Sequence, residues 1–135
     1  MNVVVDTCVW SLLLRRASAE GGTEVRELTA LLAEERVVLI GPVRQELLSG
    51  VRNARQFELL RERLRAFDDL ALRPEDHEEA ARCFNRCRDK GIQGSNTDFL
   101  LCAVSLVHGL AMFTTDQDFV AYRTALPLRL HAPRA

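Results

Sequence analysis

Val3, Val4 and Val5 form an unbroken β-branched run that stops at Asp6, and this constrains the fold more than any other feature. A strand wetted on one side alternates polar and apolar residues. A run that is apolar throughout reads as a strand covered on both faces, as in parallel sheets flanked by helices. Val37–Ile40 and Ala111–Thr114 repeat the pattern, with Leu70–Leu72 and Leu128–Leu130 as shorter candidates. Between them the apolar spacing is helical. The stretch after Asp6 is read as helix through Leu14, and Ala17–Gly22 as a loop. Thr23 is placed to cap a helix with Val25, Leu28, Leu31 and Leu32 on its inner face, ending near Arg36. Gly41-Pro42 breaks the second strand and opens a helix that carries Glu46 and ends at Gly50. Phe57, Leu60, Leu64 and Phe67 mark an amphipathic helix beneath an Arg- and Glu-rich face. Pro74, Glu75 and Asp76 start another, which runs to Gly91. After the loop 92–95, Asn96 is placed to cap a helix with Asp98 in its first turn and an apolar body from Leu100 to Val107, closed by Gly109. Phe119–Arg123 is a last short helix. Strands alternating with helices through short links predict an α/β fold with helices on both sides of a parallel sheet.

At 135 residues the chain is expected to be a single domain spanning 1–135, large enough to bury a core without staples. The longest apolar stretch, Phe99–Phe113, contains His108 and Gly109 and falls short of the ~20 residues of a membrane-spanning helix. At the start, Asp6 interrupts the apolar residues and arginines follow them, the reverse of a signal peptide's order. A mature cytoplasmic protein is expected. Cys8, Cys83, Cys87 and Cys102 show no C-x-x-C spacing, so reduced thiols are expected. A net charge of −1 does not mark the chain as a nucleic-acid binder. A protein that gathers its acids in one site and spreads its cations around the rim would show the same sum.

The acids are placed in that way. Ligand sites of open parallel sheets lie at the carboxyl ends of the strands, where Asp6 and Asp116 both stand; Glu46 and Asp98 join them from nearby helices. One such aspartate alone is commonly a turn former or helix cap. Clustered carboxylates raise one another's pKa unless a cation is present, so the four together suit a divalent metal, and oxygen ligands favour Mg2+ or Mn2+ over zinc.

The segments Val5-Asp6-Thr7-Cys8-Val9-Trp10, Glu46-Leu47-Leu48-Ser49-Gly50, Asp98 opening an apolar helix that ends His108-Gly109, and Thr114-Thr115-Asp116-Gln117-Asp118-Phe119 resemble the ordered motifs of VapC-type PIN-domain toxins over nearly the whole chain. Cys8 stands where Ser is frequent, Cys102 in a stretch where Ala is common, and Gln117 replaces an often basic residue. The resemblance implies a PIN-like three-layer α/β/α fold with a central mostly parallel sheet of about 4–5 strands. It implies a Mg2+- or Mn2+-dependent endoribonuclease in which Asp6, Asp98 and Asp116 hold the ion and Glu46 completes the cluster. It also implies a homodimer, a VapB-type antitoxin, and structured RNA such as transfer or ribosomal RNA as substrate. Thr7, Thr115 and Asp118 are candidates for orienting ligands or water, although both threonines also suit helix caps. Arg15, Arg16, Arg44 and Arg52 are candidates for phosphate contacts.

Other features have simpler readings. Cys83 and Cys87, one helical turn apart with His77 nearby, suggest a soft-metal site less than they suggest small buried side chains. His108 is expected to meet helix-terminal carbonyls, His77 and His131 to lie on the surface, and Trp10 to belong to the core or a dimer interface. Two rival functions are a different Mg2+-dependent phosphoryl hydrolase and a non-catalytic PIN-like module that binds RNA or protein. A haloacid-dehalogenase-like phosphatase wants a second Asp where Cys8 stands, and a receiver domain wants a Lys on a late strand, where none exists.

Overall fold

A computed structural model describes residues 1–14 and 22–134. The element order is β1 (Val3–Val5), α1 (Thr7–Leu14), α2 (Gly22–Ala33), β2 (Val37–Val38), α3 (Gly41–Leu48), α4 (Ala54–Leu64), α5 (Pro74–Asp89), α6 (Asn96–His108), β3 (Ala111–Phe113) and α7 (Asp118–Arg123). β1 lies in the middle of a parallel sheet ordered β2-β1-β3. Val3 is paired with both Val37 and Ala111, and Val5 with Phe113. All three valines of β1 are fully buried, as a strand covered on both faces requires.

The two outer strands expected at 70–72 and 128–130 are each reduced to one parallel bridge, Leu39 to Asp69 and Met112 to Leu130. Pro74 turns the chain into α5 a few residues after the first bridge, and the Leu128 N–H before the second is taken by the Leu126 carbonyl. The second strand also ends earlier than expected, because the Ile40 carbonyl is taken by the N–H groups of Val43 and Arg44 at the start of α3.

Helix α6 packs on β1 and β3, and α5 packs on α6. Residues Phe99 to Ser105 are all buried, so this helix anchors the core; truncating Phe99 would cost about 3–5 kcal/mol. The cap of α6 is Ser95, whose hydroxyl accepts the Asp98 N–H at 3.0 Å, and Asn96 is the first helical residue. Gly109 ends the helix in the left-handed conformation, at φ 66°. Thr23 likewise lies inside α2, which begins at Gly22 and stops at Ala33.

Several polar side chains hold the fold together in ways that differ from those expected. Arg44 donates to the Asp69 carboxylate at 3.0 Å and to the carbonyls of Leu64 and Phe67 at 3.0 and 2.6 Å. It ties α3 to the segment after α4, and a lysine could not span those acceptors. His108 pairs with the buried Asp76 carboxylate at 2.9 Å and not with helix-terminal carbonyls, because α5 runs beside the end of α6. His131 is not a free surface residue either. It meets the buried Glu27, which also accepts from Arg134 at 3.0 Å. Burial pushes the Glu27 carboxyl up, but these donors outweigh it and hold the group below its ordinary value.

Cys83 and Cys87 are fully buried while His77 is exposed on the same helix. Burial raises the Cys83 thiol to about 11, which suits a small core residue and not a metal ligand. Trp10 is buried against Phe67 with ring centroids 5.5 Å apart. Among the described residues, no helix is long and apolar enough to cross a membrane.

Candidate active site

In a parallel sheet, neighbouring strands deliver their carboxyl ends to one edge. Asp6 directly follows β1, and its N–H still bonds the Phe113 carbonyl at the end of β3 at 2.9 Å. Asp116 comes three residues after that carbonyl. Asp98 sits in the first turn of α6, where the helix dipole favours a carboxylate. Since α6 packs on β1 and β3, its start brings Asp98 to the same edge.

Asp6 is 7% exposed, and its carboxylate is held from both sides. Oδ1 accepts the Thr7 N–H at 2.8 Å; Oδ2 accepts the Thr114 hydroxyl at 2.8 Å and the Cys8 thiol at 3.5 Å. Burial pushes its pKa upward, those hydrogen bonds oppose the shift, and the charge of Asp116 adds to it. Asp98 is also raised, first by burial and then by the charges of Asp6 and Asp116, against a hydrogen bond from the Tyr122 hydroxyl at 2.6 Å. Thus the charge of Asp116 reaches both Asp6 and Asp98, and that of Asp6 reaches Asp98, although the three lie on separate segments of the chain.

The tightest oxygen cluster differs from the expected one. Asp98, Asp116 and Asp118 each offer a carboxylate oxygen, all within 4.8 Å of one another, while Asp6 is buried more deeply than any of the three. Asp118 is brought in by a turn: its N–H donates to Asp116 Oδ1 at 2.9 Å. Glu46, exposed on α3, is tied to the site by the Thr7 hydroxyl, which donates to its Oε1 at 2.6 Å. Thr7 therefore links Asp6 to Glu46. Thr115, in contrast, contacts the Cys8 sulfur at 3.3 Å, with no carboxylate partner among the described residues.

Of the candidate phosphate contacts, Arg44 is committed to Asp69 and two carbonyls, as described above. Arg52 is exposed beside a groove also lined by Leu14, Asn53 and Arg63. Arg15 and Arg16 lie outside the described residues.

Thr114 and Tyr122 join the site without being among the residues expected from the sequence. The Thr114 hydroxyl donates to Asp6 and accepts the Asp116 N–H at 3.0 Å, bridging the two strand-end aspartates. Its place one residue beyond β3, two before an aspartate, was the available signal. Tyr122 carries no local motif and reaches Asp98 only through tertiary packing.

The donor set suits a hard divalent cation. It consists of carboxylate oxygens, it is short of neutralising cationic partners among the described residues, and two of the acids are raised first by burial and then by neighbouring charge, Asp6 by that of Asp116 and Asp98 by those of Asp6 and Asp116. Such carboxylates are most readily ionised together when a cation joins them.

No curated protein matches the sequence. Solved structures match over almost all of it at low identity. FitAcB from Neisseria gonorrhoeae superposes with a TM-score of 0.77 and 22% identity, covering 97% of each chain. VapBC2 from Rickettsia felis, bound to a DNA fragment from its promoter, gives 0.78 and 14%, covering 97% of this chain and 98% of that one. A toxin–antitoxin complex from Klebsiella pneumoniae gives 0.64 and 16%, covering 87% and 90%. These likenesses show the fold. The PIN domain family profile matches residues 3–124, from the first residue of β1 to just past α7, and the chain belongs to the PIN domain family.

Proposed function

We propose that this protein is a Mg2+- or Mn2+-dependent endoribonuclease, the toxin half of a VapBC-type toxin–antitoxin module. The observation that carries the reading is the convergence of Asp6, Asp98 and Asp116 on one sheet edge, with Asp118 beside them. In this reading Asp6, Asp98, Asp116 and Glu46 form the metal seat. The chemistry such an ion supplies is acidification of water and neutralisation of charge growing on a phosphate. The chain's own residues do the positioning. Thr114 and Thr7 hold the Asp6 carboxylate from both sides, Thr7 also holds Glu46, and the Asp118 N–H fixes Asp116. Asp118 stands where it can orient water or join the ligands directly.

Membership of the PIN family and the fold shared with solved VapBC and toxin–antitoxin structures support the remaining assignments. These are a VapB-type antitoxin partner, a homodimer, structured RNA such as transfer or ribosomal RNA as substrate, and a cytoplasmic setting. Arg52 is the described candidate for a contact to the RNA backbone.

Incubating the purified protein with total RNA tests the activity. Discrete fragments are expected with Mg2+ or Mn2+ and none with excess chelator. Cleavage that persists in chelator would contradict the reading, as would rapid hydrolysis of small phosphomonoesters with RNA left intact. The latter outcome would instead favour another phosphoryl hydrolase.

A further inference from the structure

We infer that Tyr122 is a positioning residue for Asp98 and that Gly94 is glycine to make room for the Tyr122 hydroxyl. The inference rests on the ribonuclease reading and adds to it the device that orients one of its carboxylates.

Tyr122 lies on α7 and is fully buried. Its ring packs against Phe99, with centroids 5.0 Å apart, and against Phe119 at 5.1 Å. A phenylalanine would serve that packing equally well. The hydroxyl is the part that needs a reason, since burying it without a partner is costly. Its hydrogen-bond partner among the described residues is Asp98 Oδ2, at 2.6 Å.

Gly94 supplies an independent observation. A Cβ at this position would stand 2.3 Å from the hydroxyl oxygen and 2.7 and 2.9 Å from two ring carbons. The loop 92–95 is therefore closed over the phenol tip, and any side chain at 94 would drive the hydroxyl off Asp98 or open the loop. The next residue, Ser95, caps α6 by accepting the Asp98 N–H. The same loop thus sets the backbone of Asp98 through Ser95 and its carboxylate through the space left for Tyr122. Fixing one oxygen of a ligating carboxylate sets its plane before an ion arrives, and partners of this kind are worth about 10–100-fold in metal affinity.

The test measures Mn2+ binding to the RNA-free protein by electron paramagnetic resonance, for wild type, Tyr122→Phe, Gly94→Ala and Asp98→Asn. Unfolding midpoints in chelator provide the control for folding. Tyr122→Phe is expected to keep a near wild-type midpoint in chelator and to bind Mn2+ about 10–100-fold more weakly. Its RNA cleavage should recover as Mn2+ is raised, with the KM for RNA little changed. Gly94→Ala should weaken Mn2+ binding in the same direction, and combining it with Tyr122→Phe should add little. If Tyr122→Phe binds Mn2+ as tightly as wild type, the positioning role is overturned while wild-type binding leaves the metal-site reading standing. If wild type itself takes up no Mn2+, both are overturned.

Discussion

Replacing Asp98 by Asn is expected to reduce RNA cleavage at least ~100-fold at saturating RNA. A partner that merely orients a ligand is worth up to that much, so losing the charge of a ligand must cost no less. The change is nearly isosteric. The amide that replaces the carboxylate still offers an oxygen to the Tyr122 hydroxyl, and the backbone N–H at this position still meets Ser95, so the fold keeps its contacts. What disappears is one negative charge at the junction of Asp6, Asp116 and Asp118. Initial rates on one defined RNA at fixed Mn2+ provide the measurement. A variant that retains more than a tenth of wild-type activity would remove Asp98 from the metal seat.

The same substitution should stabilise the protein when no metal is present. Burial and neighbouring charge raise the folded-state pKa of both Asp6 and Asp98. A carboxyl whose folded pKa is raised binds its proton more tightly in the native state. Its favourable contribution is complete below its unfolded pKa and is lost as pH rises through the folded value. Near neutrality these two carboxylates therefore strain the metal-free protein. In chelator, Asp98→Asn should unfold a few degrees above wild type, and the gap should narrow on acidification as the wild-type carboxyls take up protons. Adding Mn2+ should reverse the order. At 100 times its Kd a ligand specific to the native state contributes about 2.7 kcal/mol, roughly 5–10 °C in Tm for a domain of this size. Wild type should gain this shift and Asp98→Asn little of it. A wild-type Tm indifferent to Mn2+ and to chelator would contradict the electrostatic account.

The parts of the fold that were legible in the sequence are those with a local physical signature. The unbroken valine run of β1 announces two covered faces, Pro74 and Gly109 mark helix ends, and the apolar body of α6 announces burial. From these the parallel order follows, and with it the meeting of Asp6 and Asp116 at one edge. The outer strands were less legible, because one bridge at Leu39 and another at Met112 need no pattern longer than a residue or two. Pairings across the chain left no trace at all. Nothing near His131 in the sequence points to Glu27, and nothing near Arg44 points to the carbonyls of Leu64 and Phe67.

The site divides in the same way. Acid positions at strand and helix ends can be read from local context. Their relative depth cannot, and the structure buries Asp6 more deeply than the cluster formed by Asp98, Asp116 and Asp118. Asp118 reaches that cluster through a turn of the chain, whereas Tyr122 reaches Asp98 only because α7 packs against the start of α6.

The most direct measurement is to soak crystals of the protein in Mn2+ and locate the ion by its anomalous scattering. A peak within bonding distance of Asp98 and Asp116 carboxylate oxygens, absent from crystals of Asp98→Asn, is the predicted result. A peak elsewhere on the molecule, or none at that sheet edge in the wild-type crystals, would contradict the account.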